Sequence, residues 1–273
     1  MKKLFISFDY EGMGGVCNWQ QVFGSQRYNE LITDQINEFL RGIYQVIPAA
    51  EIVLCDSHAD GNNIIYEKLT SDTLLVSGYP RHLYMMEGIN AGYDGVIFLG
   101  YHAPVGQRGN MDHTYSSSSF YQIRLNGSEV SEAHINAMLA AHYGVPLLFM
   151  YSDDAGIEWM RKNLTPDLAY LESKKVISRY AAEFQPWHEL LLNLYEAGKK
   201  ITDYQPWLMP VPQQLTMELD LIDTNIAYAL QMIPGVMKIT ERTISFTAKD
   251  PLEMYRYLMT CVMVSSAVKN YYR

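Results

Sequence analysis

The chain reads as an α/β protein, a mixed, mainly parallel sheet flanked by helices, with a smaller α+β unit at its C-terminal end. Three observations predict this. Short apolar runs read as buried strands, and they surround a segment of helical period in the order strand, helix, strand. That order implies parallel pairing through a crossover helix. Beyond a proline-rich stretch the pattern changes to alternating, half-exposed strands and one long helix.

The elements follow in order. Leu4–Phe8 is a buried strand. Glu30–Tyr44 carries Leu31, Ile32, Ile36, Phe39, Leu40 and Ile43 at helical spacing. Ile52–Cys55 is a second strand, ending at Asp56, and Leu74–Val76 and Val96–Leu99 are two more. Phe120–Leu125, Asn126-Gly127 and Glu129-Val130 read as a hairpin, because Asn-Gly suits a type I′ turn. Glu132–Tyr143 is helical, Pro146–Tyr151 returns as a buried strand, and Ala155–Lys162 is a helix. Pro186–Lys199 is a helix with Pro186 near its first turn. Ile201–Pro212 holds three prolines and little periodicity and reads as a linker. Gln214–Leu219 and Thr243–Ala248 alternate like strands, and Asp250 as N-cap with Pro251 at the first helical position opens a helix to about Lys269. This divides the chain into an α/β unit over 1–200 and a smaller α+β unit over 201–273.

Of the 273 residues, 48% are hydrophobic and 19% charged, an ordinary globular composition. The net charge is −9 and no Lys/Arg cluster stands out, which argues against nucleic acid and anionic membranes as partners. Cys17, Cys55 and Cys261 are odd in number and far apart, so the expectation is a reducing cytoplasm without a disulfide framework. The apolar stretch after Met1-Lys2-Lys3 stops at Asp9, too short for a signal peptide. Tyr257–Val268 is broken by Thr260, Ser265 and Ser266 and is shorter than a membrane span.

Chemistry concentrates after the apolar runs. Asp9 and Glu11 close the first, two residues apart; strand alternation would project both carboxylates to one side. Such a pair needs a cation beside it, or a proton. His58 follows the second strand, His102 follows the fourth, and Glu132 opens the helix after the hairpin. In open α/β sheets functional groups collect beyond the carboxyl ends of the strands, where these residues form a ligand set for Zn²⁺ or a metal pair. Each has a plainer reading: a solvated loop pair for Asp9 and Glu11, turn residues for the histidines, a first-turn acid favoured by the helix dipole for Glu132. Their co-occurrence carries the metal reading. His113 lies in a polar loop, either as an exposed residue or as a proton-transfer group. His82, His134, His142 and His188 read as peripheral, with His134 and His142 facing solvent or the core. Cys55 reads as packed. Gly12-Met13-Gly14-Gly15-Val16-Cys17 lacks the third glycine of a dinucleotide loop, and no G-x-S-x-G elbow occurs.

Ser7-Phe8-Asp9-Tyr10-Glu11-Gly12 matches an S-x-D-x-E-G signature. With Asp56-Ser57-His58, Gly100-Tyr101-His102-Ala103, the Met111-x-His113 loop and Phe246-x-Ala248-Lys249-Asp250, the chain resembles the zinc-dependent D-aminopeptidases of peptidase family M55, the DppA type. The resemblance runs along nearly the whole chain. It implies that Asp9, Glu11, His58, His102 and Glu132 bind two Zn²⁺, with Asp9 bridging, and that His113 is the catalytic histidine. It also implies a homodecamer of two stacked five-membered rings, with the sites facing an inner chamber that admits short peptides. The chain departs from the family at Tyr10, Trp19 and the loop Tyr115–Tyr121, which leaves substrate preference open. Two other functions use the same residues. A two-metal phosphoesterase would want a nearby Arg or Lys, for which Arg108 and Arg124 are candidates, and a ring-forming protein could bind metal without catalysis.

Overall fold

The computed structural model describes residues 1–23, 25–69 and 72–271. The first half runs through β1 (Lys3–Phe8), a single turn α1 (Trp19–Val22), α2 (Gln26–Val46), β2 (Glu51–Asp56), β3 (Thr73–Val76) and β4 (Gly95–Tyr101). A hairpin of β5 (Phe120–Leu125) and β6 (Ser128–Glu129) follows, then α3 (Glu132–His142), β7 (Leu147–Ser152), α4 (Asp154–Asn163) and β8 (Ala169–Glu172). β9 (Lys175–Ser178) and β10 (Ala181–Glu183) form a small ribbon before α5 (Trp187–Lys199). The chain ends with β11 (Leu215–Leu221), α6 (Thr224–Leu230), β12 (Met237–Lys238), β13 (Thr243–Ala248) and α7 (Pro251–Tyr271).

The main sheet has the order β3-β2-β1-β4-β7-β8, and every pairing in it is parallel. The antiparallel strands stand apart in a second sheet, β12-β13-β11-β5-β6, whose strands come from both sides of residue 200. In the main sheet the chain builds outward from β1 to β3, then restarts at β4 on the other side. The order therefore reverses between β1 and β4, and a crevice opens there beyond the carboxyl ends.

Both faces of the main sheet are covered, as parallel sheets require. Leu4, Ile6 and Phe8 point to one face, against Ile32, Ile36, Phe39, Leu40 and Ile43 of α2 and Leu190 and Leu194 of α5. The helix period of α2 puts these residues on one stripe. Gly42 lets α2 and α5 touch, since a Cβ there would lie 2.1 Å from Tyr195 O. On the other face Phe5, Val96 and Phe98 share a core with α3, the second sheet and α7. Residues Glu132 through Ala140 of α3 are all buried, so this helix is enclosed on every side.

Several elements differ from expectation. α2 starts four residues before Glu30, with Ser25 at its N-cap, and ends two after Tyr44, just ahead of Pro48. β8, β9 and β10 were not expected; each is three or four residues long, too short to show a period. α6 was also missed, although Asp223 caps it by accepting from Asn225 N and Ile226 N. The Ile201–Pro212 stretch is more than a linker: Trp207 exchanges backbone hydrogen bonds with Leu147 at 2.8 and 2.9 Å. Among the described residues, no helix is long and apolar enough to cross a membrane.

The turn after β1 rests directly on the end of β4. Asp9 N donates to Leu99 O and Gly12 N to Gly100 O, both at 2.7 Å. A Cβ on Gly12 would lie 2.0 Å from Tyr101 O, and one on Gly100 would lie 2.0 Å from Asp9 O. Backbone cannot swing aside as a flexible side chain can. Gly12→Ala is therefore expected to destabilise the fold by about 3 kcal/mol, the upper end for overpacking, read as a lowered denaturant midpoint. An unchanged midpoint would mean the two backbones do not meet this closely.

Candidate metal centre

The crevice at the β1/β4 switch gathers the singled-out side chains. Asp9 and Glu11 follow β1, His58 follows β2, His102 follows β4, and Glu132 is the first residue of α3. None of these five is more than 5% exposed. His113 reaches in from the loop between β4 and β5. One detail of the expectation is corrected. The strand stops at Phe8, so Asp9 and Glu11 converge through a tight turn and not through strand alternation. That turn is why glycine is needed at position 12.

Three supports hold the turn and its neighbours. Lys174, 1% exposed, donates from Nζ to the carbonyls of Glu11 (2.5 Å), Met13 (3.0 Å) and Val16 (2.7 Å). Burial is the main influence that lowers its pKa, to about 8. Ser7 Oγ is within 2.9 Å of Ser57 Oγ and 2.7 Å of Tyr101 OH, and donates to Met85 O. Asn136 Nδ2 of α3 donates to the same Tyr101 hydroxyl at 2.8 Å, joining α3 to β1 and β4. At the start of α3, Ser131 caps the helix by accepting from His134 N, and Glu132 Oε1 accepts from Tyr115 N at 2.5 Å.

The arrangement has two halves around Asp9. Asp9 Oδ1 lies 3.4 Å from His58 Nδ1, and Asp9 Oδ2 lies 3.3 Å from His102 Nε2. Glu11 Oε2 stands 3.0 Å from His58 Nδ1, and Glu132 Oε2 stands 3.6 Å from His102 Nε2. His113 Nε2 spans the halves, 3.9 Å from Glu11 Oε1 and 3.8 Å from Glu132 Oε1. Its ring stacks on His102, with centroids 4.4 Å apart and planes at 9°. Two sets of three donors, Asp9–Glu11–His102 and His102–His113–Glu132, have ligand atoms within 4.8 Å of one another.

Three carboxylates in one buried place demand positive charge. In the metal-free chain, protons supply it. Burial opposes the charged form of His58, but Glu11 and Asp9 outweigh it and raise the pKa to about 10. Burial likewise opposes the His102 imidazolium, and Glu132 and Asp9 hold it well above the ordinary value. Burial alone would raise Asp9, yet the His102 and His58 imidazoles beside it keep it well below the carboxylate range. His113 goes the other way: burial, then the charge on His102, lowers it to about 4. His113 Nδ1 donates to Met111 O at 2.9 Å, so Nε2 faces the cavity with its lone pair.

The donor set fits divalent metal. Asp9 Oδ2, Glu11 Oε1 and His102 Nε2 are buried without a hydrogen-bond partner, as is His58 Nε2. Buried polar atoms are rarely left this way, and Asp9, Glu11 and His102, whose donor atoms come within 4.8 Å of one another, mark a place for a cation. His102 Nδ1 donates to Ala103 O at 2.9 Å, which turns Nε2 toward the centre in the way outer partners orient metal-binding histidines. Oxygen and nitrogen donors of this kind suit zinc and its neighbours.

The site opens into a cavity of about 320 Å³ whose lining includes Trp19, Phe23, Tyr84 and Tyr115. Of the other histidines, His134 is buried between Ser131 and Asn163 O, and His142 is exposed. Arg108 pairs with Asp154 and Glu158, and Arg124 with Glu218 and Asp220, all away from the metal cavity. Sequence reasoning missed Lys174, Asn136 and the aromatic walls. Lys174 sits in Glu172-Ser173-Lys174-Lys175, which has the look of a solvated charge run, and nothing local marks it as buried.

Known proteins share this organisation along the whole chain. A curated D-aminopeptidase of Bacillus subtilis (strain 168) is 28% identical over 284 residues, covering 98% of each chain. The solved structure of a Zn-dependent D-aminopeptidase, DppA, from Bacillus subtilis, described as a self-compartmentalizing protease, superposes with a TM-score of 0.89 at 26% identity. It covers 97% of this chain and 98% of its own. The family model for the M55 peptidases, D-aminopeptidase, matches residues 1–260, and the chain belongs to that metal-binding aminopeptidase family.

Proposed function

We propose that this chain is a two-zinc aminopeptidase that removes the N-terminal residue of short peptides, including peptides of D-amino acids. Asp9, Glu11, His58, His102 and Glu132 would hold the ions, with Asp9 between them, and His113 would be the catalytic histidine. One observation carries the reading: buried, unpartnered donor atoms from Asp9, Glu11 and His102 converge at the switch point of the sheet, with His58 Nδ1 facing Asp9 and Glu11. The opposed oxygens of Asp9, one toward His58 and one toward His102, support its bridging place. The D-aminopeptidase relatives support the substrate class.

Bound there, two divalent ions would supply Lewis acidity toward the scissile carbonyl and lower the pKa of a nucleophilic water. The chain's own groups do the rest. His113 presents a neutral Nε2 at the mouth of both halves. It can take a proton from the attacking water and return it to the leaving amine. Hydrogen bonding from Nδ1 to Met111 O keeps the ring in the tautomer this requires.

The phosphoesterase alternative loses support from the lining. Among the described residues, no Arg or Lys lines the metal cavity, and both candidate arginines are engaged elsewhere. The self-compartmentalizing relative supports a ring assembly for this chain too, with the decamer of stacked rings as its expected form. The cysteine usage supports a reducing, cytoplasmic setting.

A panel of D- and L-aminoacyl amides beside a phosphomonoester tests the function. Zinc-loaded protein should release amine from the amides; cleavage of the phosphoester alone would end the peptidase reading. His113→Ala should lower turnover by about two to four orders of magnitude with metal content intact. Asp9→Asn should instead empty the site, measured as metal per chain after dialysis. Zinc lost from the His113 variant would make that residue a ligand.

Metal affinity should depend on pH with a definite sign. The imidazoles of His58 and His102 are protonated in the metal-free chain up to high pH, so a cation must displace those protons. Lowering the pH strengthens the competing protons. Each displaced proton weakens apparent zinc affinity by about tenfold per pH unit, so two would give about a hundredfold. Chelator competition across the neutral range reads the slope directly. A flat profile would mean that the two imidazoles carry no protons for the cation to displace.

A further inference from the structure

We infer that a second cavity, continuous with the metal centre and walled by α7, receives the peptide beyond the scissile bond and selects an apolar second residue. The inference rests on the aminopeptidase reading above and adds the substrate's second position to it.

The two cavities share Ala59, Tyr84, Tyr115, Ser116, Ser118 and Ser266 as common lining. The second has a volume of about 220 Å³ and continues away from the metal donors along one face of α7, formed by Met259, Val262 and Met263, with Tyr79 opposite. The metal cavity has a different wall elsewhere. Trp19 stacks on Phe23 with centroids 5.9 Å apart and meets the His113 ring edge-on at 5.3 Å. Trp19 Nε1 also donates to Tyr180 OH at 3.2 Å, which fixes that wall. A peptide with its scissile bond at the metal centre has its N-terminal residue there. The remainder follows the cavity that continues past Tyr84 and Tyr115.

That passage is built rather than loose. Tyr84 OH donates to Ala59 O at 3.1 Å, and Tyr115 OH donates to Asn136 Oδ1 at 3.0 Å. Ser116 Oγ donates to Ser119 Oγ at 3.0 Å, and Lys269 of α7 donates to the hydroxyls of Ser118 and Ser119. The serine loop is thereby tied to the helix that forms the far wall. Two methionines, one valine and the tyrosine rings give that wall an apolar face, beside Asp60, Ser266 and Lys269, which also line the cavity. Methionine adapts to the shape it meets, so the expected selectivity is for apolar character and not for one side chain. A leucine in the second position would gain burial there, and a glycine would not.

The experiment uses two dipeptide series on zinc-loaded, full-length protein: one varies the second residue from Gly through Ala to Leu, the other varies the first. In the wild type, kcat/KM should rise about tenfold from Gly to Leu in the second position. Met263→Trp, which fills the cavity, should erase that rise through KM and leave the ranking of first residues in place. Val262→Phe narrows the second cavity from a half-buried position on α7 that does not line the metal cavity and should act alike, so a folding defect in one variant does not decide the result. Calorimetric affinities for the same dipeptides in zinc-loaded His113→Ala protein give a second readout that needs no turnover. Dipeptides ranked by second residue in binding but never cleaved would sink the peptidase reading and spare the subsite. Cleavage with no second-residue preference, or variants that reorder the first residues, would overturn the subsite alone.

Discussion

The site is governed by the burial of three carboxylates, Asp9, Glu11 and Glu132, in one crevice. Each is nearly sealed from water, and together they cannot stay charged without compensation. Protons on His58 and His102 provide it in the bare chain, and divalent cations can replace them. Much of the surrounding structure can be understood as holding this charge arrangement in place. The crevice lies where the parallel sheet reverses its order, so the three adjacent strands β2, β1 and β4 can deliver side chains to one point. α3 adds Glu132 from the side of the second sheet.

Precision comes from contacts that are individually ordinary. The turn bearing Asp9 and Glu11 is pressed onto β4 by a glycine on each side, and it is tied from below by one buried ammonium. Lys174 satisfies three carbonyls of that turn, which would otherwise lack partners in a buried place. Ser7, Ser57, Tyr101 and Asn136 form a buried polar chain beneath the centre. Networks of this kind, when satisfied, rigidify what they join. The signature Ser7-x-Asp9-x-Glu11-Gly12 thus contains a support, two donors and a steric allowance, each with its own physical reason.

Much of this was legible in order along the chain. Continuous apolar runs marked β1, β2, β4 and β7, and the stripe Ile32–Ile43 marked α2, because burial against a sheet imposes those patterns. The polar residues at the ends of those runs were conspicuous as Asp9, His58 and His102. Glu132 was legible only as the first residue of a helix. The ribbon β9–β10 and the short strand β8 were not legible, since a few residues carry no period. The hairpin β5–β6 was read correctly as a hairpin, but its pairing with β11, some 90 residues away in sequence, has no local signature. Lys174 was hidden for a similar reason: its charge looks like surface until the turn of residues 11–16 folds over it.

The sequence by itself determined which residue types were available at the ends of the strands, and the resemblance carried by Ser7–Gly12 and its companion segments named the family. Both are properties of local order. Tertiary structure decided that Asp9 turns one oxygen to His58 and the other to His102, that His113 spans Glu11 and Glu132, and that α7 walls a second cavity beside them. Those relations join segments separated by tens to hundreds of residues. They follow from strand order and packing, which no stretch of chain encodes within its own span.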